Sequence, residues 1–138
     1  MSTPGFALDP RLAADTLPVA SLPLCDVLLM NDSRYPWLIL VPRRHAVVEI
    51  ADLDEHEQAV LWQEVNRAGA ALRTAGPCDK LNVGALGNIV RQLHVHVVVR
   101  RIDDHAWPGP VWGNGGPAPY TNERSAALIS MLQGALTP

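Results

Sequence analysis

The segment Gln92-Leu93-His94-Val95-His96-Val97-Val98-Val99-Arg100 constrains this 138-residue chain more than any other. Side chains of a β-strand alternate between its faces, so Gln92, His94, His96 and Val98 share one side and Leu93, Val95, Val97 and Val99 the other. The second set is wholly apolar and requires a core behind it. The first set puts an amide and two imidazoles in a row, with neighbours roughly 7 Å apart. Imidazole titrates near neutral pH and acts as nucleophile, base or acid according to its hydrogen bonds. The alternative is a polar strand face without chemistry. Two alternating histidines backed by a strongly apolar reverse side argue against it.

Other segments supply partners for that strand. Trp37-Leu38-Ile39-Leu40-Val41 is an uninterrupted apolar run stopped by Pro42, as expected of a central strand buried on both faces. Residues 18–22, 24–30 and 80–84 predict further strands, with a turn cluster over 31–36. Asp9-Pro10 caps a short helix over 8–16. A long helix starts at Asp54, which forms a capping-box spacing with Glu57, carries an apolar stripe at Leu61, Val65, Ala68 and Leu72, and stops at Gly76-Pro77. A Pro/Gly-rich stretch over 108–119 precedes a closing helix over 123–136. Strands joined by turns, with one long helix among them, predict a two-layer α+β fold. Its antiparallel sheet has about five strands, and residues 1–138 form one domain.

Composition narrows the function. Apolar residues make up 48% and charged residues 18%, the balance of a globular chain, and no run approaches the roughly 20 apolar residues of a membrane span. The N-terminus lacks the basic start and apolar stretch of a secretory signal. Cys25 and Cys78 are far apart and in no metal or redox spacing, so they read as buried small side chains in a reducing cytoplasm. A net charge of −3 gives no general attraction to a long nucleic acid, whereas a small anion needs only a local site.

The segment Gln92-Leu93-His94-Val95-His96-Val97-Val98 resembles the histidine-triad (HIT) signature His-φ-His-φ-His-φ-φ, with φ apolar and the first histidine replaced by glutamine. Leu40-Val41-Pro42-Arg43-Arg44-His45 resembles the family's apolar strand followed by Pro-basic-basic-His. Leu81-Asn82-Val83-Gly84, Gly87-Asn88-Ile89-Val90 and Trp107-Pro108-Gly109-Pro110 resemble its Asn-x-Gly strand end, its glycine-containing turn and the Trp-Pro segment of Hint-like members. The likeness spans about residues 24–113, leaving 114–138 as a Pro/Gly-rich stretch and helix.

The resemblance implies a nucleotide hydrolase or nucleotidyl transferase acting at the α-phosphate of a dinucleoside polyphosphate or nucleoside phosphoramidate. His94 aligns with the nucleophile, its second ring nitrogen held by a backbone carbonyl, here that of Gln92. His96 would bond the phosphate or assist the leaving group, and Gln92 would donate through its amide. Gly87 and Asn88 would hold phosphate oxygens, and Asn82 the ribose or phosphate edge. No metal or cofactor is implied, and a homodimer is. Trp37 stands where many members carry another histidine.

Two other functions fit the same residues. One is a nucleotide-binding module with little activity, motivated by Gln92 and Trp37. The other is a zinc site built from His94 and His96 with His45 or His105. Read without the resemblance, His45 is structural, His56 and His105 are solvated, and Arg43, Arg44 and Arg91 are surface charges. Trp107 and Trp112 either cover the site or fill a dimer contact.

Overall fold

In the computed structural model, which describes residues 5–137, one antiparallel sheet carries the two long helices on one face and the site on the other. Residues 1–4, part of the segment read for leader character, lie outside the described residues, as does residue 138. In chain order the elements are α1 (Pro10–Asp15), β1 (Thr16–Ser21), β2 (Cys25–Met30), β3 (Trp37–Pro42), α2 (Glu55–Thr74), β4 (Lys80–Gly84), β5 (Val95–Arg100) and α3 (Asn122–Leu136). The strand order is β1-β2-β3-β5-β4, which is the five-stranded α+β arrangement expected from the sequence.

The caps are the predicted ones. Asp9 accepts from the Arg11 N–H with Pro10 as the first residue of α1. At the start of α2 the Asp54 carboxylate accepts from the Glu57 N–H at 2.8 Å and the Glu57 carboxylate from the Asp54 N–H at 3.2 Å. Two strands differ from expectation. β1 begins two residues earlier, at Thr16, and its register shifts between Pro18 and Ala20. A proline cannot donate to a ladder, so it is tolerated here because β1 is an edge strand. β5 begins at Val95 rather than Leu93, because the Leu93 N–H donates to the Val47 carbonyl and has left the ladder.

All six residues of β3 and all six of β5 are buried. Leu38, Leu40, Val95, Val97 and Val99 pack against Leu61, Val65, Ala68 and Leu72 of α2 and Leu132 and Leu136 of α3. Trp37, Ile39, Val41 and Val98 face the opposite way, into a second cluster with Leu12, Ala106 and Val111. The predicted alternation therefore holds, and the histidine side is itself a core. α2 lies close to the sheet at Gly69, where a Cβ would meet Leu81 Cδ1 at 3.0 Å.

α2 is also tied to the sheet by one charge. The carboxylate of Glu64 is 2% exposed and accepts from the N–H groups of Leu24 and Cys25 at 2.9 and 2.8 Å, so it caps the start of β2. Glu64→Ala leaves both donors buried without a partner. The expected cost is about 2–5 kcal/mol of unfolding free energy by denaturant titration, with secondary structure retained.

Candidate active site

His94 sits on the last residue before β5 and His96 on its second, with both rings buried at 7% and 6% exposure. Their ring centroids are 4.9 Å apart, at an interplanar angle of 65°. Both border a cavity of about 640 Å³ whose wall includes Met30, Trp37, Asn88, Val90 and Trp112. Trp37 and Trp112 approach His96 with centroid distances of 5.6 and 5.4 Å.

Hydrogen-bond chemistry fixes which nitrogen of each ring carries the proton. His94 Nδ1 lies 2.7 Å from the Gln92 carbonyl oxygen, and a carbonyl only accepts. A proton is therefore on Nδ1, and in the neutral ring it is Nε2 that carries the lone pair. His96 Nδ1 lies 3.0 Å from the indole Nε1 of Trp37, and an indole N–H only donates. His96 Nδ1 is thus the acceptor, and its ring proton is on Nε2. Burial pushes the His96 pKa down to about 3, with the charge of His94 adding in the same direction. His96 is neutral across the physiological range.

The other sequence candidates divide. Gly87 and Asn88 border the large cavity, in a turn where Gly87 adopts φ +74°. Asn82 does not border it; its Oδ1 accepts from Arg100 Nη1 at 2.9 Å, beside the fully buried Arg100–Asp104 pair at 2.7 Å. Gln92 does not border it either, and lines instead a separate cavity of about 230 Å³ that also reaches His94. Its amide is engaged at both ends, with Nε2 donating to the Ala7 carbonyl at 2.8 Å and Oε1 accepting from the Asp9 N–H at 2.9 Å. The side chain expected to face phosphate therefore clamps the N-terminal arm, and only its backbone carbonyl serves His94.

His45 bonds the Gly5 carbonyl through Nδ1 at 2.8 Å, while His56 and His105 are exposed. The three-imidazole zinc set does not assemble, since no group of three or more metal-ligating side chains occurs among the described residues. Arg43 and Arg44 correct the reading as solvated charges. Arg43 is paired with Asp26 and Arg44 with Glu57, both half-buried. Cys25 is buried as expected, whereas Cys78 is only half-buried, and both thiols are free.

Trp112, which the sequence left between covering the site and filling a dimer contact, lies in the Pro/Gly-rich stretch and borders the cavity, as does Asn31, which received no role on sequence grounds. The fold brings that stretch back across the end of β2. Asn31 Oδ1 accepts from the Tyr120 N–H at 2.9 Å, Asp32 Oδ1 from the Ala118 N–H at 3.3 Å, and Arg34 Nη1 donates to the Asn114 carbonyl at 2.9 Å. The turn cluster Asn31-Asp32 was the available signal, since side chains there satisfy backbone groups of distant loops.

Two predictions follow from this geometry. Gln92→Leu removes both clamp bonds, so amides of residues 7–9 exchange faster with deuterium while those of β3 keep wild-type protection. For pH, the folded chain resists protonating His96 until about 3, whereas the unfolded chain protonates near 6.5. The contribution of His96 to stability is present above pH 6.5 and is lost as pH falls toward 3. His96→Phe is expected to be less stable at pH 7, where Trp37 loses its acceptor, and to show a shallower acid decline in denaturant titrations at pH 7, 5.5 and 4.

The HIT domain family model matches residues 12–103. No curated protein matches the chain. Among solved structures, a histidine triad protein from Bradyrhizobium japonicum is 48% identical, with a TM-score of 0.94 over 97% of this chain and 100% of that one. A histidine triad protein from Sinorhizobium meliloti 1021 is also 48% identical, with a TM-score of 0.92 over 94% and 96% of the two chains. One from Marinobacter aquaeolei VT8 has the same identity and TM-score over 95% and 96%. With the family model covering most of its length and the two strand-borne imidazoles in place, this chain belongs to the histidine-triad family.

Proposed function

We propose that this chain is a nucleotide hydrolase or nucleotidyl transferase, cleaving at the α-phosphate through a nucleotidyl-His94 intermediate. One observation carries the reading: two adjacent imidazoles present opposite functions beside one cavity, a lone pair on His94 Nε2 and an N–H on His96 Nε2. His94 Nε2 attacks phosphorus, a P–N bond forms, and the bond to the leaving group breaks. The leaving group departs with its electron pair and takes up a proton. Water then attacks the same phosphorus, returning the Nε2 lone pair and giving a nucleoside monophosphate. Splitting one displacement into two lowers each barrier. The N–H of His96 and the donors of Asn88 and the Gly87 turn stabilise the phosphoryl oxygens.

The cavity wall suits a nucleoside, since Met30, Val90, Val111 and Trp112 are apolar while Asn31 and Asn88 are polar. Substrates are small nucleotides of the dinucleoside polyphosphate or phosphoramidate type. Asn82 has no part in this reading, and Gln92 acts through its carbonyl. A homodimer fits the exposed Trp62 on α2 and Val83 on the edge strand β4, at 46% and 45% exposure. Residence in the cytoplasm fits the two free thiols. No described helix is long and apolar enough to cross a membrane.

A second reading, a nucleotide-binding module with little turnover, is favoured by the engagement of the Gln92 amide with Ala7 and Asp9, which commits the side chain at the first triad position to the N-terminal arm and away from the wall of the large cavity. The two readings separate on one measurement. Incubation with adenylated compounds, acid-free quenching and intact-protein mass spectrometry should show a nucleotidyl adduct on the wild type. His94→Ala should lose the adduct and at least about 10³-fold in turnover while keeping its circular dichroism spectrum. Equal turnover by His94→Ala sinks the mechanism; tight mononucleotide binding with neither adduct nor product supports the module.

A further inference from the structure

We infer that Trp37 is a positioning residue that holds His96 in its Nε2–H form beside the His94 nucleophile. This rests on the proposed function for its consequence in turnover, but not for its physical content.

The register of the sheet creates the contact. β3 runs antiparallel to β5 with Trp37 opposite Val98 and Ile39 opposite His96, so residue 37 is the diagonal neighbour of His96 on the same face. A diagonal pair is separated by about 7–8 Å at Cα, a gap that a large aromatic spans and a small side chain does not. The indole is held in place from several sides. It is 6% exposed, with Tyr35 at 6.3 Å and 69°, Trp112 at 6.3 Å and 88°, and His96 itself at 5.6 Å.

Its chemistry decides the state of His96. Indole nitrogen donates, never accepts and does not titrate, so the 3.0 Å contact requires a lone pair on His96 Nδ1. Two other states of His96 would bring two N–H groups head to head: the imidazolium and the Nδ1–H tautomer. Both are excluded while the indole stays where it is. A histidine in this place would offer a donor or an acceptor and would change with pH; tryptophan only donates and does not titrate.

Among the described residues, no ionisable side chain shares the contact of Trp37 with His96 Nδ1. His94 is the ionisable side chain in ring contact with His96. Trp37 and Trp112, the aromatic neighbours from β3 and the loop before α3, carry none. Asp15, Asp32 and Arg34 border the same cavity, and the latter two are paired at 2.9 Å.

The benefit is complementarity. The Gln92 carbonyl fixes the proton of His94 on Nδ1, and the Trp37 N–H fixes that of His96 on Nε2. If His96 presented a lone pair from Nε2, two lone pairs would face an anionic phosphate. With the lock, one ring attacks and the other donates.

The test reads the tautomer directly. In ¹⁵N-labelled full-length protein, long-range ¹H–¹⁵N correlation spectra should show wild-type His96 with an unprotonated Nδ1 and a protonated Nε2 from pH 5 to pH 8. Trp37→Phe keeps an aromatic ring but removes the donor. It should move the His96 nitrogen shifts toward a mixture of tautomers with imidazolium appearing at the acid end, and lower kcat about a hundredfold with KM within a few-fold. Trp37→His brings Nε2 to the place of the indole Nε1 but can accept there as well as donate, so it should also give a mixture of His96 tautomers, one that changes with the titration of the new ring. A wild-type His96 in the Nδ1–H form, or unchanged His96 shifts in Trp37→Phe, overturns the inference. If Trp37→Phe does not fold, the wild-type spectrum alone decides. Because the nitrogen shifts do not depend on turnover, the lock stands or falls separately from the proposed hydrolysis.

Discussion

Burial of β5 on both faces is the constraint from which the rest of the structure follows. Its helix-side residues Val95, Val97 and Val99 are anchored under α2, each contributing about 1.5–3 kcal/mol of apolar burial. That anchoring leaves no freedom on the opposite face, where His96 must occupy the space between Trp37 and Trp112. A polar ring in such a place needs a partner for each buried nitrogen, or it costs desolvation energy without return. The indole of Trp37 supplies one partner, and the Gln92 carbonyl does the same for His94. The tautomers at the site are therefore consequences of packing.

The electrostatics of the cavity follow from the same economy. Arg34 borders it but is neutralised by Asp32, whose carboxylate also accepts from the Ala118 N–H. That buried pair serves to fasten the Pro/Gly-rich stretch over the end of β2. Arg100 is spent in the same manner on Asp104 and Asn82, with its guanidinium beside the rings of Tyr35 and Trp107. Arg34, Asp32 and Arg100 hold loops in position, while His96, Asn31 and Asn88 line the cavity as neutral donors and acceptors. Neutral, preoriented dipoles in a low-dielectric wall are what a transition state with spread charge requires.

The sequence exposed the frame of the site more clearly than its wall. Alternation placed His94 and His96 together, and the capping residues Asp9 and Asp54 marked the helix starts, because each is a local signal read within one turn or one strand. Gln92 and Asn82 were harder to read, for a common reason. Each looked available on sequence grounds, yet each is consumed by a partner far along the chain, Gln92 by residues 7 and 9 and Asn82 by Arg100. Trp112 was left between two roles and Asn31 without one, because irregular segments give no period from which to predict a contact.

By itself, then, the sequence determined which strand carries the imidazoles, which of its faces meets the helices and where the main helices begin. Periodicity and capping depend on residues within a few positions of one another. Only the tertiary structure decided which nitrogen of His96 holds the proton and which amides remain free to meet a ligand. Those properties depend on donors brought together from opposite ends of the chain, and a linear string of residues does not record which of them will be used up by another.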